Sequence, residues 1–506
     1  MHSPTCSLAA LAALTTLTHG AALASPFSLE RVIDTGTVVP GNETETFARV
    51  DEPPRVSDGR MFLSMFYDPI LLIEGLYTVK PGEAPVEIAL QGGPMPDGVG
   101  TISRFATLGF DISGDNLVYT VKRDSTDQDV VFVRRGDVDE LVVELDVTPL
   151  PDSPSDTFSA VGSSDTFALD GDAFVFEGFG SAGQNGIYLY TGSEITTLVQ
   201  TGDISPDGST FSSSLDEPSL DGGNVAFEAR TNDSTVQGVF ALYNSTLRTV
   251  ATSAMVAPGG TANFNFSDNP QIDDAFVVFG ASRVDSGSGI FRADLSNTPA
   301  TLEAIVLEGD PVPGFPSEQF LDFGDEGVSM GGQLITFDAR FTNTMGLGVD
   351  SENSGMFAWR DGTLYMLAST VDTLDGQSPV FFDFNGEGAD DGQISFEARF
   401  SGGGSAAYLA TLSPDSDGDG VADSSDNCTL VANPDQRDTN GDGFGNACDA
   451  DLNNDGVVNV LDLGELRLVF FGDDADADFN GDGAVNVIDL GILRAGFFLP
   501  PGPSGL

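Results

Sequence analysis

The sequence predicts a mainly β protein made of seven copies of one unit, followed by a small region of loops and short helices. Three observations carry that reading. A turn followed by a β-rich run closing on an aromatic recurs seven times between residues 57 and 399. The runs are short, rich in β-branched and aromatic residues, and bounded by Gly, Pro and Asp, as strands and their turns are. After Leu412 that composition stops, and aspartate, asparagine and glycine take over.

The copies read SDGRMFLSMF, ISGDNLVYTV, LDGDAFVFEG, LDGGNVAFEAR, IDDAFVVFGAS, MGGQLITFDAR and DDGQISFEAR. Their turn positions Gly59, Gly114, Gly171, Gly222, Asp274, Gly331 and Gly392 lie 51 to 61 residues apart. Each continues with a second short strand: GLYTV, DVVFV, GIYLY, GVFAL, GIFRA, GMFAW and AAYLA. Most add a third element such as LEAIVLEGDPVPG, then an aromatic-bearing stretch (Phe158, Phe211, Phe264, Phe320, Phe382) that leads into the next copy. About four strands per unit, repeated radially, is the pattern of a seven-bladed β-propeller-like domain over residues 25–412. An open β-solenoid and a pair of β-sandwiches are the alternatives. The seventh copy lacks its third element, and a matching stretch, LERVIDTGTVVPG from Leu29 to Gly41, opens the chain. Its expected place is in the last blade, where it would close the ring and remove exposed sheet edges.

Residues 1–24 read as a secretory signal peptide, with an apolar run from Leu8 to Ala24 ending in Ala22-Leu23-Ala24 before Ser25. An uncleaved anchor is the alternative. No other stretch approaches the ~20 apolar residues of a membrane helix, so no transmembrane segment is expected after cleavage. Cleavage would remove His2, His19 and Cys6, leaving a chain without histidine and with only Cys428 and Cys448. One disulfide is then the simplest state of an exported chain. Ser-His-Asp triads, Cys-His dyads and His-ligated metals would be unavailable.

The 506 residues carry 78 Asp+Glu against 20 Lys+Arg, a formal charge of -58. Phosphate backbones would be repelled, so a nucleic-acid partner held by a basic patch is excluded. Carboxylates are too plentiful to mark a glycosidase pair, and Trp359 is the only tryptophan. The tripeptides Glu228-Ala229-Arg230, Asp338-Ala339-Arg340 and Glu397-Ala398-Arg399 suggest either a substrate-binding ring or a structural salt bridge or strand-end contact repeated per blade.

Residues 413–450 form an acidic linker in which Asp415, Asp417, Asp419, Asp423 and Asp426 crowd one short loop with Gly420. Alternate carboxylates around a glycine turn supply hard oxygen ligands, which suit Ca2+ and need it to relieve their repulsion. The run DSDGDGVADSSDNC, then NPDQRDTNGDGFGNACD with Asn433, Asp435, Gln436, Asp438, Asn440, Asp442 and Gly443, resembles a thrombospondin type 3 repeat. That resemblance implies calcium held by these aspartates and Asn440, and a disulfide between Cys428 and Cys448. Such a staple is worth about 3 kcal/mol in the chain-entropy picture.

Two further loops follow, Asp451-x-Asn453-x-Asp455-Gly456-x-x-Asn459-x-x-Asp462 and Asp478-x-Asn480-x-Asp482-Gly483-x-x-Asn486-x-x-Asp489. Their ligand spacing is that of an EF-hand with Asp at the last position. The stretches behind them, VLDLGELRLVFF and VIDLGILRAGFF, have apolar residues at helical spacing. Loop and helix duplicated 27 residues apart resemble a type I dockerin over 451–499. That resemblance implies a cohesin-like or other cell-surface protein as partner. The positions after the ninth ligand, often hydroxylated in that family, are Val460-Leu461 and Val487-Ile488 here, and a small calcium-stabilised domain binding only itself is the other reading. Residues 500–506 are expected to be a flexible tail. Together these features point to a secreted or cell-surface calcium-binding scaffold or recognition protein, with polysaccharide a possible ligand. A secreted polysaccharide-degrading enzyme delivered to a complex is the alternative.

Overall fold

A computed structural model of the chain describes residues 26–505 apart from 68–72, 163–165, 232–234, 267–268, 285–286, 325–326, 343–351, 385, 387, 414–415, 418 and 420. The expected leader with His2, Cys6 and His19 lies outside the described residues, as do Asp415 and Gly420. The described chain divides into two compact units, 29–411 and, together with 26–28, the residues from Leu412 onward. Among the described residues no helix is long and apolar enough to cross a membrane.

The first unit is a seven-bladed β-propeller. Its seven sheets of four to six strands follow one another along the chain, and each is completed before the next begins. The fourth shows the plan without additions: Phe211–Asp221, Asn224–Thr231, Val236–Tyr243 and Thr246–Thr252 lie side by side in chain order. The seventh sheet is the exception. Its strands from Pro379 to Leu412 are joined at the edge by Phe27–Asp34, placed beside Ser405–Leu412. Closure by the N-terminal strand therefore occurs, but with an end point different from the expected Gly41. Asp34 accepts from Gly36 N–H at 2.8 Å, and its carbonyl accepts from Thr37 N–H at 3.0 Å. That turn ends the strand, and Val38–Val39 already pairs with Asn42–Ser57 in the first blade.

Blade strands are apolar almost continuously because both faces are covered. On Arg60–Tyr67, Met61, Leu63 and Met65 pack with Ala407 and Leu409 of the seventh blade. Phe62, between them in sequence, packs instead with Ile102, Phe110 and Tyr119 of the second. A strand buried on both faces reads as a run rather than an alternation.

The recurring Gly-x-aromatic of the third strand has a steric cause. A bulge falls in the pairing of third and fourth strands at Leu76/Tyr77, Ile187/Tyr188, Val239/Phe240, Ile290/Phe291 and Met356/Phe357. It pushes a fourth-strand carbonyl toward the glycine. A Cβ at Gly238 would lie 2.4 Å from the Ala251 oxygen, and one at Gly355 would lie 2.7 Å from that of Ala368. Bulges of this kind raise local twist, which a propeller blade needs. The aromatic beside the bulge meets the first strand's aromatic edge-on: Phe47–Tyr77, Phe158–Tyr188, Phe211–Phe240, Phe264–Phe291 and Phe320–Phe357 lie 4.9 to 5.1 Å apart.

Blades are also joined by a repeated hydrogen bond at the turn. The residue before the turn of one blade accepts from the turn backbone of the next. The pairs are Ser57 with Gly114, Ser113 with Gly171, Asp170 with Gly222, Asp221 with Asp274 and Asp273 with Gln333, at 2.6 to 2.9 Å. Asp390 of the seventh blade accepts from Asp58 of the first at 2.9 Å, so the pattern crosses the closure. At the sixth blade the position is Gly331, and a Cβ there would lie 2.6 Å from the Ala389 carbonyl oxygen. Ser329 takes over, accepting from Ala389 N–H at 2.9 Å.

One buried acid stands out between the third and fourth blades. Glu177 accepts from Asn185 Nδ2 at 2.6 Å, and burial with Asp216 and Glu217 nearby pushes its carboxyl up to about 9. Glu74 in the first blade is raised by burial to about 7.

Deleting Phe27–Asp34 should lower the melting temperature and cause aggregation, measured by calorimetry and light scattering, because it uncovers the edge of Ser405–Leu412. The acids set a pH trend. Between the ordinary carboxylate range and about 9, folded Glu177 keeps a proton that the unfolded chain gives up. Propeller stability should therefore fall as pH rises from about 5 to 9, by no more than roughly 1.4 kcal/mol per pH unit for this one group. Glu177→Gln should flatten that slope in urea titrations run across the range.

Candidate metal centre

In the second unit the chain repeats one frame, Asp-x-Asp/Asn-x-Asp-Gly-x-x-Asp/Asn-x-x-Asp, four times: at 415–426, 438–449, 451–462 and 478–489. Local chemistry winds the frames at 438–449, 451–462 and 478–489. In the last two, Asp451 and Asp478 accept at both oxygens, from Asp455 and Gly456 N–H at 3.2 and 2.6 Å and from Asp482 and Gly483 at 3.2 and 2.8 Å. Their twelfth residues close the loops from the far side. Asp462 accepts from Asn453 and Asn459 N–H at 3.2 and 2.6 Å, and Asp489 from Asn480 and Asn486 at 3.4 and 2.7 Å. Gly456 and Gly483 have φ of 88° and 87°, the left-handed region open to glycine. Asn459 and Asn486 cap helices α1 (Val460–Val469) and α2 (Val487–Ala495), each completing a reciprocal capping box with Asp462 or Asp489.

The 438–449 frame winds in the same way through Asp438, Asn440 and Asp442. Asp438 accepts from Gly441 and Gly443 N–H at 2.7 and 3.1 Å, and Asn440 Oδ1 from Asp442 N–H at 3.1 Å. Asp449 and Asn446 occupy its twelfth and ninth positions. Sequence reading had passed over both, although the twelve-residue spacing from Asp438 would have found them. Asp449 is buried, and burial with Asp442, Asp451 and Asp476 around it pushes its carboxyl up to about 7. Asn446 is buried as a strut, accepting from Thr439 N–H at 2.9 Å and donating to the Ala475 carbonyl at 2.8 Å. Asp435 is exposed on the connecting turn and falls outside all four frames.

In the first frame Asp417, Asp419 and Asp426 each offer a carboxylate oxygen, all within 4.8 Å of one another. Asp423 accepts from Ser416 N–H and Oγ at 2.7 Å. Asp426 accepts from Gln436 Nε2 at 2.7 Å, and Asp419 from Asn433 N–H at 2.6 Å, so the expected family residues brace the loop. Cys428 and Cys448 form a disulfide with Cα atoms 5.7 Å apart. Within the stretch 500–506, Gly502 N–H reaches Cys448 O at 3.2 Å, and Gly505 N–H reaches Asp426 O at 2.9 Å.

These residues fit Ca2+. Every donor is a hard oxygen, and three carboxylates converge with no lysine or histidine among them. Asp426, Asp462 and Asp489 are fully buried, a position an ionised carboxylate holds only beside a cation or strong donors. The region from Asp415 to Phe498 has nineteen acidic residues against Arg437, Arg467 and Arg494. When bound, the ions would neutralise that charge and cross-link the loops. The apolar core is small and lies mainly around the two helices, where Val458, Leu466, Phe479, Val485 and Leu493 meet.

Removing calcium should unfold 415–498, read as loss of helical circular dichroism and rapid proteolysis there, while the propeller signal persists. Titration calorimetry on the whole chain should lose one binding event in Asp449→Asn relative to the parent. Unchanged calcium uptake would remove 438–449 from the set of sites.

A family model for thrombospondin type 3 repeats matches residues 413–436 and 437–463, in agreement with the expected resemblance, and these repeats are calcium-binding. No curated protein matches the chain. Among solved structures, prolyl oligopeptidase B from Galerina marginata is similar at 12% identity and TM-score 0.38, covering 70% of this chain and 47% of its own. This chain thus spans about half of that protein's length. The β-propeller domain of the Trilobed protease from Pyrococcus furiosus is similar at 9% identity and TM-score 0.41, with 73% and 97% covered. A model of a family of unknown function, DUF7453, matches residues 12–405, most of the sequence, and the chain belongs to that family.

Proposed function

We propose that this is an exported, calcium-loaded recognition protein that docks onto an extracellular or cell-surface protein through its last two loop–helix units. The thrombospondin repeats and the disulfide support an extracellular setting. In this reading the propeller carries the ligand-binding face, and the calcium repeats stiffen the chain behind it. The final pair is dockerin-like, and its partner is cohesin-like or another cell-surface protein.

One observation carries the docking reading: a duplicated apolar surface in an acidic module. Val460-Leu461 and Val487-Ile488 open α1 and α2 and are exposed, as are Phe471 and Phe498, at 85% and 76%. The two halves are locked by the same exchange made twice. Phe471 N–H donates to Val485 O and Phe498 N–H to Val458 O, both at 2.8 Å. A rigid, repeated set of large apolar side chains in water marks an interaction surface.

The test is a pull-down with the immobilised full chain from the outer envelope fraction of the source organism. A specifically retained protein should be lost on adding chelator and lost with Val460→Asp plus Val487→Asp, while Leu430→Asp, at another exposed apolar site, retains it. Retention unaffected by chelator and by the double substitution would overturn the docking role.

A further inference from the structure

We propose that the cleft between the sixth and seventh blades binds a neutral saccharide chain, which deepens the recognition half of the reading above and rests on it. The cavity has a volume of ≈ 680 Å³ and is lined by Asp322, Arg340, Glu352, Phe381 and Asp383 among others. That is ample for a few sugar rings and within the range of small-molecule sites.

Its chemistry selects the ligand. Arg340 donates through Nε to Asp322 at 2.8 Å and through Nη1 to Glu352 at 2.6 Å. Arg399 reaches Asp383 at 3.2 Å and Glu397 at 2.9 Å. The guanidiniums are thus held and neutralised, and each carboxylate keeps further lone pairs for donors. An anion would meet Asp322, Asp338, Glu352 and Asp383 with only Arg340 among the lining residues to answer them. A cation is the competing class, since carboxylates outnumber arginines here, but it would have to displace Arg340 or Arg399 from the carboxylates they hold. A ligand that donates many hydrogen bonds without charge fits, and hydroxyl groups do this.

A platform completes the site. Phe381 is 44% exposed, and the Arg399 guanidinium lies 5.0 Å from its ring centroid, backing the ring. Val380 beside it is exposed as well. An aromatic face next to fixed polar groups suits the C–H face of a sugar ring and the hydroxyls at its rim. Arg340 stands opposite Asp322 across its strand pair, and Arg399 opposite Phe381, whereas Arg230 of the fourth blade stands opposite Ser213. The Arg340–Asp322 and Arg399–Phe381 pairs meet at this cleft, while the first blade has a smaller version of the set in Arg49 opposite Phe66 with Asp51 beside it.

The experiment uses the calcium-loaded full chain and titration calorimetry. The probes are neutral hexasaccharides (β-glucan, xylan, mannan), a hexauronate and a hexalysine peptide. At least one neutral hexasaccharide should bind, with affinity reduced tenfold or more by Phe381→Ala and severalfold by Glu352→Gln, at unchanged melting temperature. The Val460→Asp, Val487→Asp chain should bind it like the parent, so loss of docking and loss of saccharide binding are separate outcomes. Binding of no neutral hexasaccharide, tighter binding of hexauronate or hexalysine, or saccharide binding unchanged in both cleft variants would overturn the proposal.

Discussion

A sheet with apolar residues on both faces is stable only between two others, and the propeller meets that demand by bending seven such sheets into a circle. Met61 and Phe62 are neighbours in sequence yet serve opposite interfaces, so no blade has a core of its own. Aromatic pairs such as Phe158–Tyr188 pack within a blade, but much of its hydrophobic energy exists only in contact with the next. The turn hydrogen bonds follow the same logic, since Asp221 satisfies a backbone donor of the following blade and leaves its own turn to Asp170. The buried Arg55 extends the stitching, reaching Asp111 of the second blade at 3.3 Å and the Phe167 carbonyl of the third at 3.2 Å. An opening anywhere in such a ring uncovers two faces at once, which is why the closing strand is drawn from the far end of the chain.

The second unit depends on the opposite principle. With so few apolar residues before Val457, burial cannot offset the entropy of ordering the loops. Carboxylates that would repel in water become the cohesive element once ions sit among them. The disulfide and the returning residues 502–505 restrict the same loops without adding hydrophobic area. If calcium fills these loops, one chain holds two regions whose stabilities would answer to different conditions, the first to proton concentration through buried acids such as Glu177, the second to calcium.

Much of this was legible because repeats amplify weak signals. The Gly-x-aromatic strand, the turn aspartates and the seven-fold spacing each recur often enough to be read without coordinates. The closing strand was found by its similarity to a later segment, but that similarity ran on through Gly41, past a turn that Asp34 imposes by a local hydrogen bond. Asn446 and Asp449 flank Cys448, whose spacing from Cys428 is a stronger sequence signal than the twelve-residue frame running through the same residues. The Arg55–Asp111 pair, the acid at Glu177 and the cleft beside Phe381 join residues dozens of positions apart, and no periodicity reports such a meeting.

The E/D-A-R tripeptides show how a repeat acquires a role at one place. Their acid at the middle of the second strand is buried in the fourth and seventh blades, where Glu228 accepts from Gln237 at 2.5 Å and Glu397 from Arg399. In these two blades the tripeptide's acid makes a structural contact, with a different partner in each. The arginine is different, because it ends nearer solvent and its surroundings are set by whatever the first strand places opposite. Where that is Ser213, the position carries neither a carboxylate nor a ring. Where it is Asp322 and then Phe381, two adjacent copies leave a charged, aromatic cleft between them. A ring of near-identical units must keep the positions that hold neighbours together, and those are the turn acceptors, the bulge glycines and the buried acids. In the proposed reading, specificity is added at positions the closure does not use, and these are the residues of the first three strands that line the gap between the blades.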